Sequence, residues 1–183
     1  MADFKIKIRR MQKIDLDQIE KIEVASYGDH HWSKQAFANE LSNNYARYYV
    51  ALNDKNEVIG YMGLWHIIDE AHFSTICVSP DYRRKSVGEA LFKRLIDDCY
   101  ENLIKYITLE VRVSNLTAQG LYTKYGLKNL GTRKGYYQDN NEDAYIMWSE
   151  NIFYDKFKAI YDKNVRELEQ KIEITTGEEE KVC

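Results

Sequence analysis

Three groups of residues in this 183-residue chain are of types, and at spacings, that could do chemistry. The first is the run Cys77-Val78-Ser79-Pro80-Asp81-Tyr82-Arg83-Arg84-Lys85-Ser86-Val87-Gly88-Glu89-Ala90-Leu91, which holds the only proline in the sequence. Pro80 and Asp81 break a strand-like stretch, three cations follow, and helical spacing begins near Val87 or Gly88. Backbone N–H groups at a helix start have no intrahelical partner and sit at the positive end of the helix dipole, so they can seat phosphate oxygens. Arg83, Arg84 and Lys85 add charge beside that seat. A solvated basic turn capping a helix fits the same residues, and on these features alone it is the stronger of the two readings.

The second group lies on a short strand. Over 106–113, Ile107, Leu109, Val111 and Val113 share one face, so Thr108, Glu110 and Arg112 share the other. Glu110 is therefore displayed, either as a carboxylate able to take a proton or as a surface group paired with Arg112, and periodicity alone favours the pair. The third is Tyr122, seven residues after Asn115 and so two turns along the same face of a helix that begins where the Glu110 strand ends. Its phenol could reach the same cleft, or it could be a buried aromatic in a chain with 15 tyrosines.

The elements that must position these groups follow from patterning. Alternation predicts an opening strand over 4–10, and Asp15 is the expected cap of a helix ending at Gly28. Ser33 is the next cap, with Trp32 and Phe37 at the spacing of a hydrophobic staple around a helix over 34–41. Strands are expected over 48–53, 58–66 and 71–78, the first two joined by the turn Asn53-Asp54-Lys55-Asn56. Val87, Leu91, Leu95, Cys99 and Leu103 mark one helix face. Asn115 caps a helix ending at Gly126, and strands follow over 127–137 and 143–149. The class is α/β or α+β with a mixed, mostly antiparallel sheet. Residues 1–150 are expected to form one domain and 151–183 an appended amphipathic helix with a polar tail. In that helix Phe153, Phe157, Ile160, Tyr161, Leu168 and Ile172 would pack on the body or on a second copy, giving a homodimer.

Composition narrows the partners. A net charge of −3 argues against a protein whose task is to coat nucleic acid, and the longest uncharged apolar stretch, 58–68, is too short to cross a bilayer. With no apolar signal core in MADFKIKIRR, the chain is expected to be soluble and cytoplasmic. Cys77, Cys99 and Cys183 form no CxxC, and adjacent His30 and His31 point different ways, so neither a disulfide framework nor a metal site is expected.

The loop Arg83-Arg84-Lys85-Ser86-Val87-Gly88 resembles the Q/R-x-x-G-x-G/A motif of the Gcn5-related N-acetyltransferases, with Ser86 where that family usually has glycine. Leu109-Glu110-Val111-Arg112-Val113-Ser114-Asn115 followed by Leu-Tyr-Thr-Lys-Tyr-Gly-Leu from Leu121 resembles the LEVRxSN…LYxxxGF signature of its ribosomal-protein-alanine N-acetyltransferases. IEVASYGDHHWSKQAF and NNEDAYIMW resemble two further stretches of the same group, IExASFxxPWSxxxF and GEDAxxM. His30 and His31 stand where that group commonly has proline.

The resemblance implies a sheet whose central strands, over 71–78 and 106–113, splay apart, with acetyl-coenzyme A as cosubstrate and no metal. It implies that Arg83, Arg84, Lys85, Ser86, Val87, Gly88, Glu89 and Ala90 cradle the diphosphate, and that Ile76, Val78 and Asn115 also contact the cofactor. Glu110 becomes the general base and Tyr122 the general acid. Tyr27, Trp32, Tyr136 and Tyr137 wall the acceptor, with Asp139, Glu142 and Asp143 offered to a basic peptide. The expected partner is a protein N-terminus, the N-terminal alanine of a small-subunit ribosomal protein. The alternatives are acetylation of lysines or small amines, or a non-catalytic coenzyme A-binding module.

Overall fold

The computed structural model describes residues 4–177. In chain order its elements are β1 (Lys5–Arg10), α1 (Leu16–Tyr27), α2 (Lys34–Leu41), β2 (Ala46–Leu52), β3 (Val58–Ile67), β4 (Glu70–Val78), α3 (Val87–Glu101), β5 (Tyr106–Arg112), α4 (Leu116–Lys124), β6 (Lys128–Tyr137), β7 (Glu142–Trp148), α5 (Asp155–Glu169) and β8 (Glu173–Thr176). The strands hydrogen-bond in the order β6-β7-β5-β4-β3-β2-β1-β8. β1 runs antiparallel to β2, and β7 antiparallel to both β5 and β6, whereas β4–β5 and β1–β8 are parallel. This is the mixed, mostly antiparallel α+β sheet that the alternation of strands and helices predicts. Among the described residues no helix is long and apolar enough to cross a membrane.

One element was not foreseen. β8 lies in the stretch read as helix and tail, and it pairs with β1 in the register Ile6↔Ile174 and Ile8↔Thr176. Four residues are too few to show alternation, and the partner strand is at the other end of the chain. The expected polar tail beyond 177, with Cys183, lies outside the described residues.

The chain forms two compact units. The first comprises Met1–Leu64, Thr75–Leu95 and Glu167–Cys183, the second Trp65–Ser74 and Ile96–Arg166, so the segment after 150 contributes to both. In the first unit Phe37 is buried with its edge on the rings of Tyr48 and Tyr61, at centroid distances of 6.2 and 5.2 Å, and Trp32 lies 5.6 Å away as the staple requires. Ser33 caps α2 by accepting from the Ala36 N–H at 3.2 Å. Gly63 is obligatory, because a Cβ there would lie 2.3 Å from the Tyr48 ring. Asp15 departs from expectation: it makes no side-chain cap to α1 and is buried, accepting both guanidinium nitrogens of Arg9 at 2.8 Å and the Gln12 N–H at 2.8 Å. A fork from β1 outcompetes the cap.

In the second unit Asn115 caps α4 through the Ala118 N–H at 3.1 Å, and Gly126 ends it at φ +89°. α5 buries Phe157 completely, donates the Tyr161 hydroxyl to Asp97, and donates from Asn164 to the Lys124 carbonyl at 2.8 Å. Phe157 of its apolar stripe is thus packed within the chain, as one of the two expected arrangements has it. Leu103, expected on the buried face of α3, is 73% exposed at φ +58°, because that helix stops at Glu101 and the Ile104 N–H closes on the Cys99 carbonyl. Cys77 and Cys99 are free and buried, and burial pushes both thiols up, away from the reactive thiolate.

Candidate active site

The first unit carries the basic loop. Pro80 opens a single 3-10 turn, Pro80–Tyr82, which halts the chain after β4. The backbone then passes through Arg84 at φ +60° and Ser86 at φ +62° before α3 begins at Val87. Two non-glycine residues at positive φ within three positions are strained, and such strain concentrates where surrounding structure imposes a functional shape. The departure at Ser86 falls at a position whose backbone favours glycine. Val87, Ala90 and Leu91 are buried and fix the first turn of α3 to the core, leaving Arg83, Arg84 and Lys85 exposed. A Cβ on Gly88 would meet only the Val78 methyl at 3.7 Å, an ordinary contact.

The cations are individually placed. Arg83 donates to the Val78 carbonyl at 3.2 Å and to the Ser26 hydroxyl at 3.1 Å, and the same hydroxyl accepts from the Cys77 thiol at 3.2 Å. Lys85 holds its ammonium 5.0 Å from the Tyr82 ring centre and 5.7 Å from that of Phe4. Ile76 and Val78 are half-buried on either side of buried Cys77, and Glu89 is half-buried on α3. Three cations beside a helix start are a donor set that fits a diphosphate.

The same unit holds the α1–α2 connection. Tyr27 and Trp32 are exposed, at 47% and 40%. Beneath them is Glu23, a residue sequence reasoning did not single out. It is buried, accepts the Trp32 N–H at 2.7 Å, and accepts the Tyr61 hydroxyl with its other oxygen. Desolvation pushes its carboxyl up against the opposing pull of the Trp32 N–H. Its only local hint was its place on the same helix face as Ile19 and Ile22.

The second unit carries Glu110 and Tyr122. Glu110 is half-buried on β5 between fully buried Leu109 and Val111, as alternation predicts. Its partner is Arg133 of β6 at 3.3 Å, not Arg112. Arg112 instead forks onto Asp139 at 3.0 and 2.8 Å and reaches Glu142 at 3.1 Å. The Ser114 contacts, with Arg112 and Asn140, hold the Glu142 carboxyl down at about 2. Asp143 accepts the Gly135 N–H at 2.8 Å and pairs with Lys134 at 3.0 Å. Asp139, Glu142 and Asp143 are each engaged by one of this chain's own cations, Arg112 reaching the first two across 27 and 30 residues and Lys134 of β6 pairing with the third.

Tyr136 and Tyr137 pack edge to face at 5.1 Å, with Arg133 5.5 Å from the first ring and Arg112 3.8 Å from the second. Burial raises both phenols, Tyr137 to about 12. Tyr122 is buried, with its ring edge-on to Phe73 at 5.8 Å. Asn115 is exposed, and its side chain accepts the Ala118 N–H as the α4 cap. Among the described residues no group of three or more His, Cys, Asp or Glu could hold a metal ion.

Fold, strained loop and displayed carboxylate define a class. Residues 14–127 match the acetyltransferase (GNAT) family, and the chain belongs to it; it is an N-acetyltransferase of a family that uses acetyl-coenzyme A. A protein of Bacillus subtilis (strain 168), provisionally described as a ribosomal protein bS18-alanine N-acetyltransferase, is 41% identical over 144 residues, covering 79% of this chain and 95% of that protein. The ribosomal protein bS18-alanine N-acetyltransferase of Escherichia coli (strain K12) is 35% identical over 118 residues, covering 63% of this chain and 78% of that one. The crystal structure of the ribosomal-protein-S18-alanine N-acetyltransferase from Escherichia coli superposes with a TM-score of 0.72 at 29% identity, covering 80% of this chain and 94% of that one.

Proposed function

We propose that this protein transfers the acetyl group of acetyl-coenzyme A to the N-terminal α-amine of a protein, the N-terminal alanine of ribosomal protein bS18. Similarity to the Bacillus subtilis and Escherichia coli relatives supports this acceptor. In this reading the backbone of 83–88 and the first turn of α3 hold the diphosphate, with Arg84 and Lys85 neutralising it and Ile76 and Val78 lining the path of the pantetheine arm. Asn115 keeps α4 in place. Tyr27 and Trp32 of the first unit, and Tyr136 and Tyr137 of the second, are the aromatic residues assigned to the acceptor.

Glu110 takes the proton of the acceptor ammonium, directly or through a water, as the nitrogen attacks the thioester carbonyl. Tyr122 then protonates the thiolate that leaves as the carbon–sulfur bond breaks, and the second proton lost by the acylated nitrogen restores the phenol through solvent. The demand on Glu110 is small, because an α-amino group of pKa about 8 costs only about 1 kcal/mol to neutralise at pH 7, against about 4.6 kcal/mol for a lysine side chain. The observation that carries the reading is the setting of Glu110: a half-buried carboxylate two residues from the end of a strand whose other face is core, paired with a cation. The test is turnover of a peptide with the bS18 N-terminus by wild type and by Glu110→Gln. We expect kcat to fall at least 100-fold in the variant with acetyl-coenzyme A affinity retained, as for loss of a general base. Unchanged kcat from pH 6 to 9 would remove Glu110 from the reaction.

A further inference from the structure

We propose that Arg112, which takes no part in the steps above, is the positioning residue that fixes the Tyr136–Tyr137 pair assigned to the acceptor and thereby selects a peptide N-terminus over a small free amine. This inference rests on the acetyltransferase reading and deepens it. Arg112 is the last residue of β5, two positions beyond Glu110 on the same face. Its Nη2 donates to both oxygens of Asp139 at 3.0 and 2.8 Å, and its Nη1 donates to Asn140 and Glu142, both at 3.1 Å. The guanidinium carbon lies 3.8 Å from the centre of the Tyr137 ring. Glu142 in turn accepts the Ser114 N–H at 2.8 Å, which ties the start of β7 to the turn before α4.

These contacts form a closed circuit. From Arg112 the path runs to the Tyr137 ring, to the Tyr136 ring edge-on at 5.1 Å, to the Arg133 guanidinium at 5.5 Å, and from Arg133 back to Glu110 at 3.3 Å. It starts and ends on one strand, two residues apart. Arg112 is the shared member of the circuit: it holds Asp139 and Asn140 of the β6–β7 connection by hydrogen bonds and the Tyr137 ring by its face, so shortening it loosens both at once. An isolated surface ion pair would hold little. A planar guanidinium that forks onto one carboxylate, reaches a second and stacks on a ring is a different case, and an ammonium cannot reproduce it.

Arg112→Lys is therefore the diagnostic change, since it keeps the charge and removes the fork and the stack. We expect the KM for an alanine-initiated peptide to rise about tenfold, the worth of one lost charge-assisted hydrogen bond. The affinity for acetyl-coenzyme A by calorimetry should stay within about twofold, and turnover of alaninamide should change less than that of the peptide. Amide exchange over 136–142 should accelerate while 107–111 stays protected. Asp139→Asn, which weakens the same fork from its other end, should give the same split in milder form. If wild type turns over the peptide and Arg112→Lys leaves its KM unchanged, or raises KM and cofactor Kd together, the inference is overturned and the acetyltransferase reading stands. If wild type acetylates no amine, that reading fails and this inference falls with it.

Discussion

Replacing Ser86 by glycine should stabilise the protein. An L-residue forced to positive φ brings its Cβ against the following carbonyl, at a cost of about 1–2 kcal/mol, and Ser86 sits at φ +62°. Glycine removes that clash but loses more backbone freedom on folding, which takes back about 0.5–1 kcal/mol. The net gain is about 0.5–1 kcal/mol. For a chain of this length about 1 kcal/mol shifts Tm by about 2–4 °C, so the variant should melt about 1–4 °C above wild type. Ser86→Ala is the control: it removes the hydroxyl and keeps the Cβ, so it should gain nothing. Thermal and denaturant melts of the full chain decide the matter. A glycine variant no more stable than the alanine variant would refute the claim that this loop stores backbone strain, and with it the argument that the loop is shaped for a ligand.

Further predictions follow from particular contacts. Arg84→Ala should weaken acetyl-coenzyme A binding in calorimetry before it touches kcat, and a kcat loss with unchanged affinity would move Arg84 out of the diphosphate seat. Phe157→Ala should cost about 3–5 kcal/mol in denaturant unfolding, because the ring is fully buried; a loss below about 1 kcal/mol would show that α5 does not pack as described. Glu23 has its folded pKa raised, so the stability it contributes is complete below the ordinary carboxylate range and is lost as pH rises through the raised value. The stability of wild type relative to Glu23→Gln should therefore decline as pH rises above the ordinary carboxylate range, and a difference that grew with pH would contradict the assigned burial. Glu142 behaves oppositely: its contribution is complete above the ordinary carboxylate range and lost as pH falls through about 2, so Glu142→Gln should blunt acid unfolding.

What the sequence disclosed was local. The Ser33 cap, the Trp32–Phe37 staple, the Asn115 cap and the stop at Gly126 each need only a few consecutive residues, and each is present. The alternation over 106–113 placed Glu110 on the face opposite Leu109 and Val111 for the same reason. What escaped was set by partners far along the chain. Asp15 looks like a cap until Arg9 of β1 forks onto it. β8 has no pattern of its own and exists because β1 offers an edge. Arg112 and Glu110 share a strand face and so read as a pair, yet each is taken by β6 or by the β6–β7 connection. Periodicity says which face a side chain occupies, not which neighbour the fold brings to it.

The central claim is transfer to an N-terminal amine, and the most direct measurement is the site of acetylation in one peptide that carries both kinds of amine. A peptide with the N-terminal sequence of bS18 and an internal lysine is incubated with acetyl-coenzyme A and wild-type protein, and the product is fragmented in a mass spectrometer. The account predicts acetyl on the alanine nitrogen alone, absent with Glu110→Gln. Acetyl confined to the lysine side chain would contradict it.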